Sequence, residues 1–394
     1  MDFGFEAAGF KTRVAVEFDD HCAKALSNTL DANVIHDDIH CVEASDVLAA
    51  AGLERGECDL LIGGPPCQPF SKSGYWARGD SMRLEDPRSH TLTAYLRMVA
   101  ETKPKAFVLE NVAGLAFTGK DEGLQFVLDQ VERINIKHNT NYRVSYAILN
   151  CADFGVPQRR ERIFIVANRD GIPFKFPTPT HGEIGDDLFA TSMTRYTNAW
   201  DAIGDLDVPD LVEAGAKVGG KWGNLLPSIP EGENYLWHTS AGGGQSLFGY
   251  RTRYWSFLLK LAKRLPSWTI QAQPGSAIGP FHWKNRKLTF HEMCRLQTFP
   301  DGLKIDSGRT EAQRMVGNAV PSLMAEILGR EIKAQFFGQK SSLPCVLLPT
   351  HRSDLPAAET PKPMDAEYLH LVGFHSPHRT ASAAPRRRVK RSVT

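Results

Sequence analysis

The chain has 394 residues, 42% hydrophobic and 23% charged, the balance of an ordinary globular protein and not of a disordered one. A formal net charge of +1 does not announce a nucleic-acid partner, although neutrality overall is compatible with a local basic patch. No apolar stretch approaches the ~18 residues of a membrane span, and the seven scattered cysteines form neither a C-x-x-C pair nor a metal-ligand spacing. With no basic leader ahead of an apolar run, the pattern points to reduced thiols in a bacterial-type cytoplasm.

In chain order, Val14–Phe18, Asn33–His36, Asp59–Ile62, Ala106–Leu109 and Arg162–Ala167 are short apolar runs that read as strands. Between them Asp19–Leu30, Thr91–Thr102 and Gly123–Ile134 carry helical spacing, with Asp19 or Asp20 as a cap for the first. This alternation predicts an α/β fold with a mostly parallel sheet covered on both faces. Arg143–Leu149 followed by Arg162–Ala167 suggests an antiparallel pair at one edge.

The character changes after about residue 172, where Pro173, Pro177 and Pro179 mark a boundary. Six of the seven tryptophans (200, 222, 237, 255, 268, 283) then fall in a Gly-rich stretch reaching about residue 285. Helical patterning returns at Phe290–Gln297 and Glu311–Gln335, whose apolar face is suited to pack back onto the first domain. The end is Pro-, Ala- and Ser-rich and closes on Arg386-Arg387-Arg388-Val389-Lys390-Arg391. The predicted divisions are an α/β domain over 1–175, a smaller irregular domain over 176–285, a returning segment over 286–338 and a disordered basic tail over 339–394.

Cys67 lies just beyond the strand Asp59–Ile62, in Gly-Gly-Pro-Pro-Cys-Gln-Pro-Phe-Ser (63–71). Ligands of parallel α/β sheets bind outside the carboxyl ends of the strands. The two glycines allow a sharp turn and the two prolines stiffen it, so the loop presents a thiol from a rigid support. A lone cysteine is more often a buried structural residue, but a structural cysteine needs no such frame. A free thiol of pKa ~8.5 also needs a nearby cation to become a thiolate at neutral pH. Glu110 ends the strand Ala106–Leu109, which brings a carboxyl to the same predicted crevice. In Gln158-Arg159-Arg160-Glu161-Arg162, side chains 158, 160 and 162 share one face of an extended chain. Two guanidiniums there can stabilise a thiolate or donate to a carbonyl oxygen; a surface ion pair with Glu161 is the plainer alternative for either one.

These residues resemble the DNA cytosine-5 methyltransferase family of bacterial restriction-modification systems. Pro-Pro-Cys-Gln, Glu-Asn-Val (110–112) and Gln-x-Arg-x-Arg stand in that family's order, with Asp86-Pro87-Arg88, Arg295-Leu296-Gln297-Thr298-Phe299-Pro300 and Gly317-Asn318-Ala319-Val320-Pro321 as further matches. The resemblance covers about residues 4 to 335. It implies a Rossmann-like fold that binds S-adenosyl-L-methionine, and a monomer acting on double-stranded DNA in functional pairing with a restriction endonuclease. By that resemblance Cys67 adds to C6 of a flipped cytosine, Glu110 holds N3, Arg162 holds the O2 side and Arg160 lies near the thiol. Flipping is required because C6 is out of reach in stacked DNA. Lys72–Arg88 resembles the loop that closes over the flipped base.

The same resemblance places Glu17 on the cofactor ribose, Phe18 beside the adenine and Asp38-Ile39 at the adenine edge, with Pro66 and Asn318 near the cofactor. Gln68 and Ser71 are expected at the DNA. The domain at 176–285 corresponds to the family's target-recognition domain, where Arg251 and Arg253 are the expected DNA contacts and Gly242-Gly243-Gly244 a flexible, donor-rich loop. Tryptophans at this density are more often the core of a small domain than base contacts. The basic tail is suited either to phosphate binding or to simple solubility. The family's opening strand and Phe-x-Gly-x-Gly loop have no counterpart before Glu17, so the sheet is expected to lack its first strand and the chain to bind S-adenosylmethionine weakly. Two alternatives stand beside the enzyme: an inactive DNA-binding protein, and a tRNA cytosine methyltransferase, against which the long Trp-rich region argues.

Overall fold

The computed structural model describes residues 1–66, 90–117, 121–183, 193–208, 216–303 and 305–374. They fall into two compact units. The first comprises Met1–Ala214, Lys263–Gln273 and Leu288–Pro356; the second comprises Gly215–Ala262, Pro274–Lys287 and the described part of Ala357–Thr394.

In the first unit, α1 (Asp2–Ala7), β1 (Val14–Glu17), α2 (Asp20–Thr29), β2 (Asn33–His36), α3 (Ala44–Ala51) and β3 (Leu60–Gly63) alternate. Asp19 caps α2 by accepting from the Cys22 amide at 3.0 Å, which satisfies one of the helix's orphan donors. Next come α4 (His90–Thr102), β4 (Ala106–Val112), α5 (Glu122–His138), β5 (Arg143–Asn150), β6 (Gln158–Arg159) and β7 (Glu161–Asn168). The main sheet has the order β3-β4-β7-β5. Only β3 and β4 run parallel; β7 is antiparallel to both β4 and β5. The sheet is therefore mixed, and the expectation of a mostly parallel one is corrected. The link from β5 to β7 contains no crossover helix, and so short a connection joins neighbouring strands only in antiparallel fashion. β1 and β2 form a separate parallel pair.

Ala106, Phe107, Val108 and Leu109 of β4 are wholly buried because both faces of the sheet are covered. On one side Phe107, Leu109, Ile163 and Ile165 meet Tyr95 and Val99 of α4 and Val127 and Val131 of α5. On the other, Val108, Phe164 and Val166 meet Phe5 of α1 and Leu323, Met324, Leu328 and Ile332. Glu311–Gln335, which reads as one helical stretch, is divided at Pro321, so the sheet is covered by the second of two helices. After α6 (Ala199–Ile203), β8 (Ser267–Trp268), which pairs with β6, and α7 (Phe290–Leu296), these are α8 (Arg309–Asn318) and α9 (Ser322–Phe337).

The second unit is irregular. Its core gathers Leu225, Leu226, Ile229, Tyr235, Phe248, Phe257, Leu258 and Phe281. The Trp-rich segment does not coincide with this unit, because Trp200 and Trp268 belong to the first. The expectation of a disordered tail from 339 is also corrected as far as residue 374. Cys345 and Leu347 join the first unit's core, and Glu326 accepts from the Val346 and Leu347 amides at 2.7 and 2.9 Å. Further on, Ala366–Leu371 forms a 3-10 turn whose Tyr368 is buried against Trp222, the rings stacked at 5.6 Å. A Pro- and Ala-rich composition hides this order, since a few well-spaced apolar side chains can anchor a segment that lacks helical or strand periodicity. The basic run at 386–391 lies outside the described residues. No helix of the described residues is long and apolar enough to cross a membrane.

Candidate active site

The site is built where β3 and β4 end side by side. The register pairs Gly63 with Leu109, so the chain leaving β3 passes the carboxyl of Glu110. Gly64 fits closely against it: a β-carbon there would stand 3.1 Å from Glu110 Oε2, so that the carboxyl would have to give by a few tenths of an ångström. Asn111, buried beside it, donates from Nδ2 to Pro65 O at 3.0 Å and accepts the Val112 amide at 2.9 Å. The approach to residue 67 is thus tied to β4 by a buried side chain, a role that went unassigned in the motif Glu-Asn-Val. Cys67, Gln68, Ser71 and Lys72–Arg88 lie outside the described residues.

Glu110 is buried, and its Oε1 lies 2.9 Å from Nε of Arg162. The two atoms are not aligned for a hydrogen bond, so the contact is an ion pair in a largely dry setting, where charges act more strongly than in water. Antiparallel pairing of β4 with β7, which sets Val112 opposite Arg162, makes this contact. Nη1 of Arg162 donates to Glu161 O at 2.8 Å, leaving the Glu161 carboxylate exposed and uninvolved.

Arg160 is 1% exposed. Its Nη2 donates to Gly317 O at 2.9 Å, whereas Nε and Nη1 meet no partner among the described residues. Burial first, then the charge of Arg162, pushes its guanidinium down to about 9, which leaves it cationic at neutral pH. Buried donors without acceptors are costly, and a cation so placed suits an anion or a carbonyl oxygen at this point.

Gln158 and Arg160 share a buried face, as the alternation predicts, although β6 and β7 are interrupted between them. Gln158 is turned to the backbone: Nε2 reaches Leu296 O and Oε1 the Ile270 amide, both at 3.4 Å. Gln297 Nε2 donates to Val316 O at 2.8 Å, and Thr298 Oγ1 accepts the Leu323 amide at 2.9 Å. Gln297 and Thr298 thus tie the segment 295–300 to the backbone on either side of 317–321, next to the Gly317 carbonyl to which Arg160 is bound.

At the carboxyl ends of β1 and β2, Glu17 faces His36 in register. Glu17 Oε1 accepts the Asp19 amide at 2.9 Å, and Phe18 O contacts His36 Nε2 at 3.2 Å. The Phe18 ring is 72% exposed, an unusual placement for a phenylalanine. Asp38 Oδ1 accepts the His40 amide at 3.0 Å, and Ile39 O accepts from Arg97 at 2.7 Å. A carboxylate, an open aromatic face and a second carboxylate at two adjacent strand ends fit the ribose and adenine of a nucleoside cofactor. Pro66 ends the described chain after β3, and Asn318 is exposed at the end of α8. Asp19 joins these regions by an ion pair with Arg314 at 2.7 Å; burial alone would raise its carboxyl, but the Arg314 bond and the Cys22 amide hold it lower.

In the second unit, Arg251 and Arg253 are both exposed. The glycine triplet is not the loose loop expected. A β-carbon at Gly243 would stand 2.4 Å from the Trp237 ring and one at Gly244 2.8 Å from it, so the loop wraps that indole. His238 is buried, with Nε2 at 2.8 Å from Ser228 Oγ and Nδ1 at 3.0 Å from Gln245 O. Its burial lowers its proton affinity, and both ring nitrogens are occupied internally.

Residues 1–334 match the family model described as C-5 cytosine-specific DNA methylase. The Type II methyltransferase M.SacI of Streptomyces achromogenes is 40% identical over 347 residues, spanning 84% of this chain and 86% of that protein. The Type II methyltransferase M.AquIA of Picosynechococcus is 44% identical over 214 residues, 52% of this chain and 84% of that one. Among solved structures, a putative DNA modification methyltransferase encoded within an E. coli prophage superposes with a TM-score of 0.56 at 20% identity, covering 85% of this chain and 95% of the other; that likeness shows a shared fold. With a family match over most of its length and the Glu110–Arg162 pair beside the Gly64-Pro65 turn, the chain belongs to the C-5 cytosine-specific DNA methylases.

Proposed function

We propose that the protein methylates C5 of a flipped cytosine within a specific double-stranded DNA sequence, through a covalent bond between Cys67 and C6. The observation that carries this reading is the ion pair of Glu110 and Arg162, set against the turn that leads to Cys67. Cytosine C5 is a weak nucleophile. Addition of the Cys67 sulfur to C6, with Glu110 holding N3, moves electron density to C5. Arg162, paired with the Glu110 carboxyl, would hold O2 of the same ring, while the cation of Arg160 favours the thiolate. After C5 has been methylated and its proton lost, the C6–sulfur bond breaks and Cys67 is free again. Glu17, Phe18 and Asp38 are the residues that would hold S-adenosylmethionine, with Ile39, Pro66 and Asn318 beside it; when bound it supplies an electrophilic methyl group.

The edges of β1 and β3 that carry no strand among the described residues support the reading that one more parallel strand belongs between them, since Val16 and Leu61 reach a common cluster. The Type II relatives support pairing with a restriction endonuclease. We read the protein as a cytoplasmic monomer. The deciding experiment is bisulfite sequencing of the host genome together with radiolabelled methyl transfer to duplex DNA. One methylated motif, and loss of transfer in Cys67→Ser, is the expected result; transfer that survives Cys67→Ser would show the mechanism to be wrong.

A further inference from the structure

In the first unit, the strand end that carries Glu17 and the pocket that holds Arg160 are anchored on one helix. α8 (Arg309–Asn318) buries Ala312, Val316 and Gly317. Its Arg314 reaches Asp19, 295 residues away in the chain, with Nη2 at 2.7 Å from Oδ2. One turn later, Gly317 O accepts from Nη2 of Arg160 at 2.9 Å. Three residues of helix separate the two anchors, a rise of only about 4.5 Å.

Neither anchor is loose. Asp19 caps α2 and gives its own amide to Oε1 of Glu17 at 2.9 Å, so one turn fixes both carboxylates. Nε of Arg314 also donates to Glu311 Oε2 at 2.7 Å, which fastens the guanidinium to its own helix. At the other anchor, a β-carbon on Gly317 would stand 2.6 Å from the Ala272 backbone. α8 is thus pressed against that segment without slack. Arg160, in contrast, has the Gly317 carbonyl as its one acceptor among the described residues, and its Nε and Nη1 have none. Its position therefore follows α8. A close-packed interior transmits displacement instead of absorbing it, so a shift of the helix at Arg314 reaches the Gly317 carbonyl. The Asp19–Arg314 pair is itself partly exposed, at 30% and 21% of the side chains, and such pairs add little to stability. Its use is geometric.

We propose that Arg314 is a positioning residue: through α8 it sets the Arg160 cation from the turn that carries Glu17, so that the nucleoside end of the unit governs the cytosine end. The inference rests on the reading of the chain as a DNA cytosine methyltransferase.

The test is the release of tritium from C5 of cytosine by the full-length protein, without a methyl donor, on unmethylated host DNA amplified with 5-tritiated cytosine. Addition of a thiolate to C6 lets C5 take a solvent proton; loss of the tritium and then of the thiolate restores the ring. The reaction thus reads the cytosine end alone. Arg314→Gln and Asp19→Asn, which keeps the helix cap, are each expected to lower kcat for release about tenfold and to leave KM for DNA within about twofold. The double variant should lose no more than either single one, and Arg314→Lys should regain most of the rate. Thermal melts should stay within about 2 °C of wild type. A wild-type kcat in Asp19→Asn, losses that multiply in the double variant, or an Arg314→Lys as slow as Arg314→Gln would each overturn the proposal. A wild type that neither releases tritium nor transfers methyl groups overturns the methyltransferase reading and this proposal with it. Release by wild type that its variants match overturns the link through α8 alone.

Discussion

Nε of Arg162 stands 2.9 Å from Oε1 of Glu110 across two antiparallel strands, with both side chains largely buried. Removing one partner of such a pair strands the other's charge in a dry site, which costs about 3–5 kcal/mol. Arg162→Ala is therefore expected to lower thermal stability as well as activity. Glu110→Gln keeps the shape but leaves the Arg162 cation without its counter-charge, so it is expected to lose stability as well as about 10²–10³-fold in kcat. Chemical melts beside single-turnover methyl transfer check both, and a fully active Glu110→Gln would refute the role given to the carboxyl.

Asn111 acts at one remove from the chemistry by holding Pro65 O at 3.0 Å. Asn111→Ala is expected to cost about 1 kcal/mol of stability. It should slow adduct formation while leaving DNA affinity within about twofold of wild type. Trapping the covalent complex on a duplex containing 5-fluorocytosine reads the first effect, and anisotropy the second. Equal losses in binding and trapping would contradict a positioning role.

Asp201 is buried and accepts from Arg195 at 2.6 and 3.0 Å, from the Arg352 amide at 2.7 Å and from the Asn198 amide at 2.9 Å. Burial would raise its carboxyl, but these donors, Arg195 foremost, hold it at about 2. A carboxyl depressed below its unfolded value of about 3.9 stabilises the fold above that pH and loses the contribution as pH falls toward the folded value. Wild type should exceed Asp201→Asn by about 2 kcal/mol at neutral pH, with the gap closing between about pH 4 and pH 2. Denaturant titrations across that window measure it; a gap that is constant with pH would rule out the ionised form as its source.

Tyr368 stacks on Trp222 and donates to Lys221 O at 2.8 Å, so a chain ending at residue 356 lacks part of the second unit's core. Tyr368→Ala should cost that unit about 3 kcal/mol and expose it to limited proteolysis, with the first unit left resistant. Equal protease resistance in wild type and variant would show that the C-terminal segment is dispensable.

Much of the candidate site was legible in the sequence because its chemistry is written in short contiguous runs. Two apolar strands that end in Gly-Gly-Pro-Pro and Glu-Asn-Val deliver their ends to one edge of a sheet when they run parallel, as the strand–helix alternation predicts, and Gly64 beside Glu110 is that consequence. Alternation likewise put Gln158 and Arg160 on one buried face. Strand direction was legible in part: the antiparallel pair of β5 and β7 is the one the sequence suggests, but periodicity is the same for parallel and antiparallel neighbours, and only hydrogen-bond pairing made β7 run against β4. Tertiary structure also decided the partners of polar side chains. Gln158 and Gln297 donate to backbone carbonyls, and Asn111 holds a carbonyl 46 residues away. It turned a flexible-looking glycine triplet into a wrap around Trp237. It likewise drew Leu347 and Tyr368, from a segment of disordered composition, into two cores. Local pattern determines which residues bear the chemistry and which faces are apolar; burial and pairing are set by segments far apart in sequence, because a buried polar group must find its partner wherever the fold supplies one.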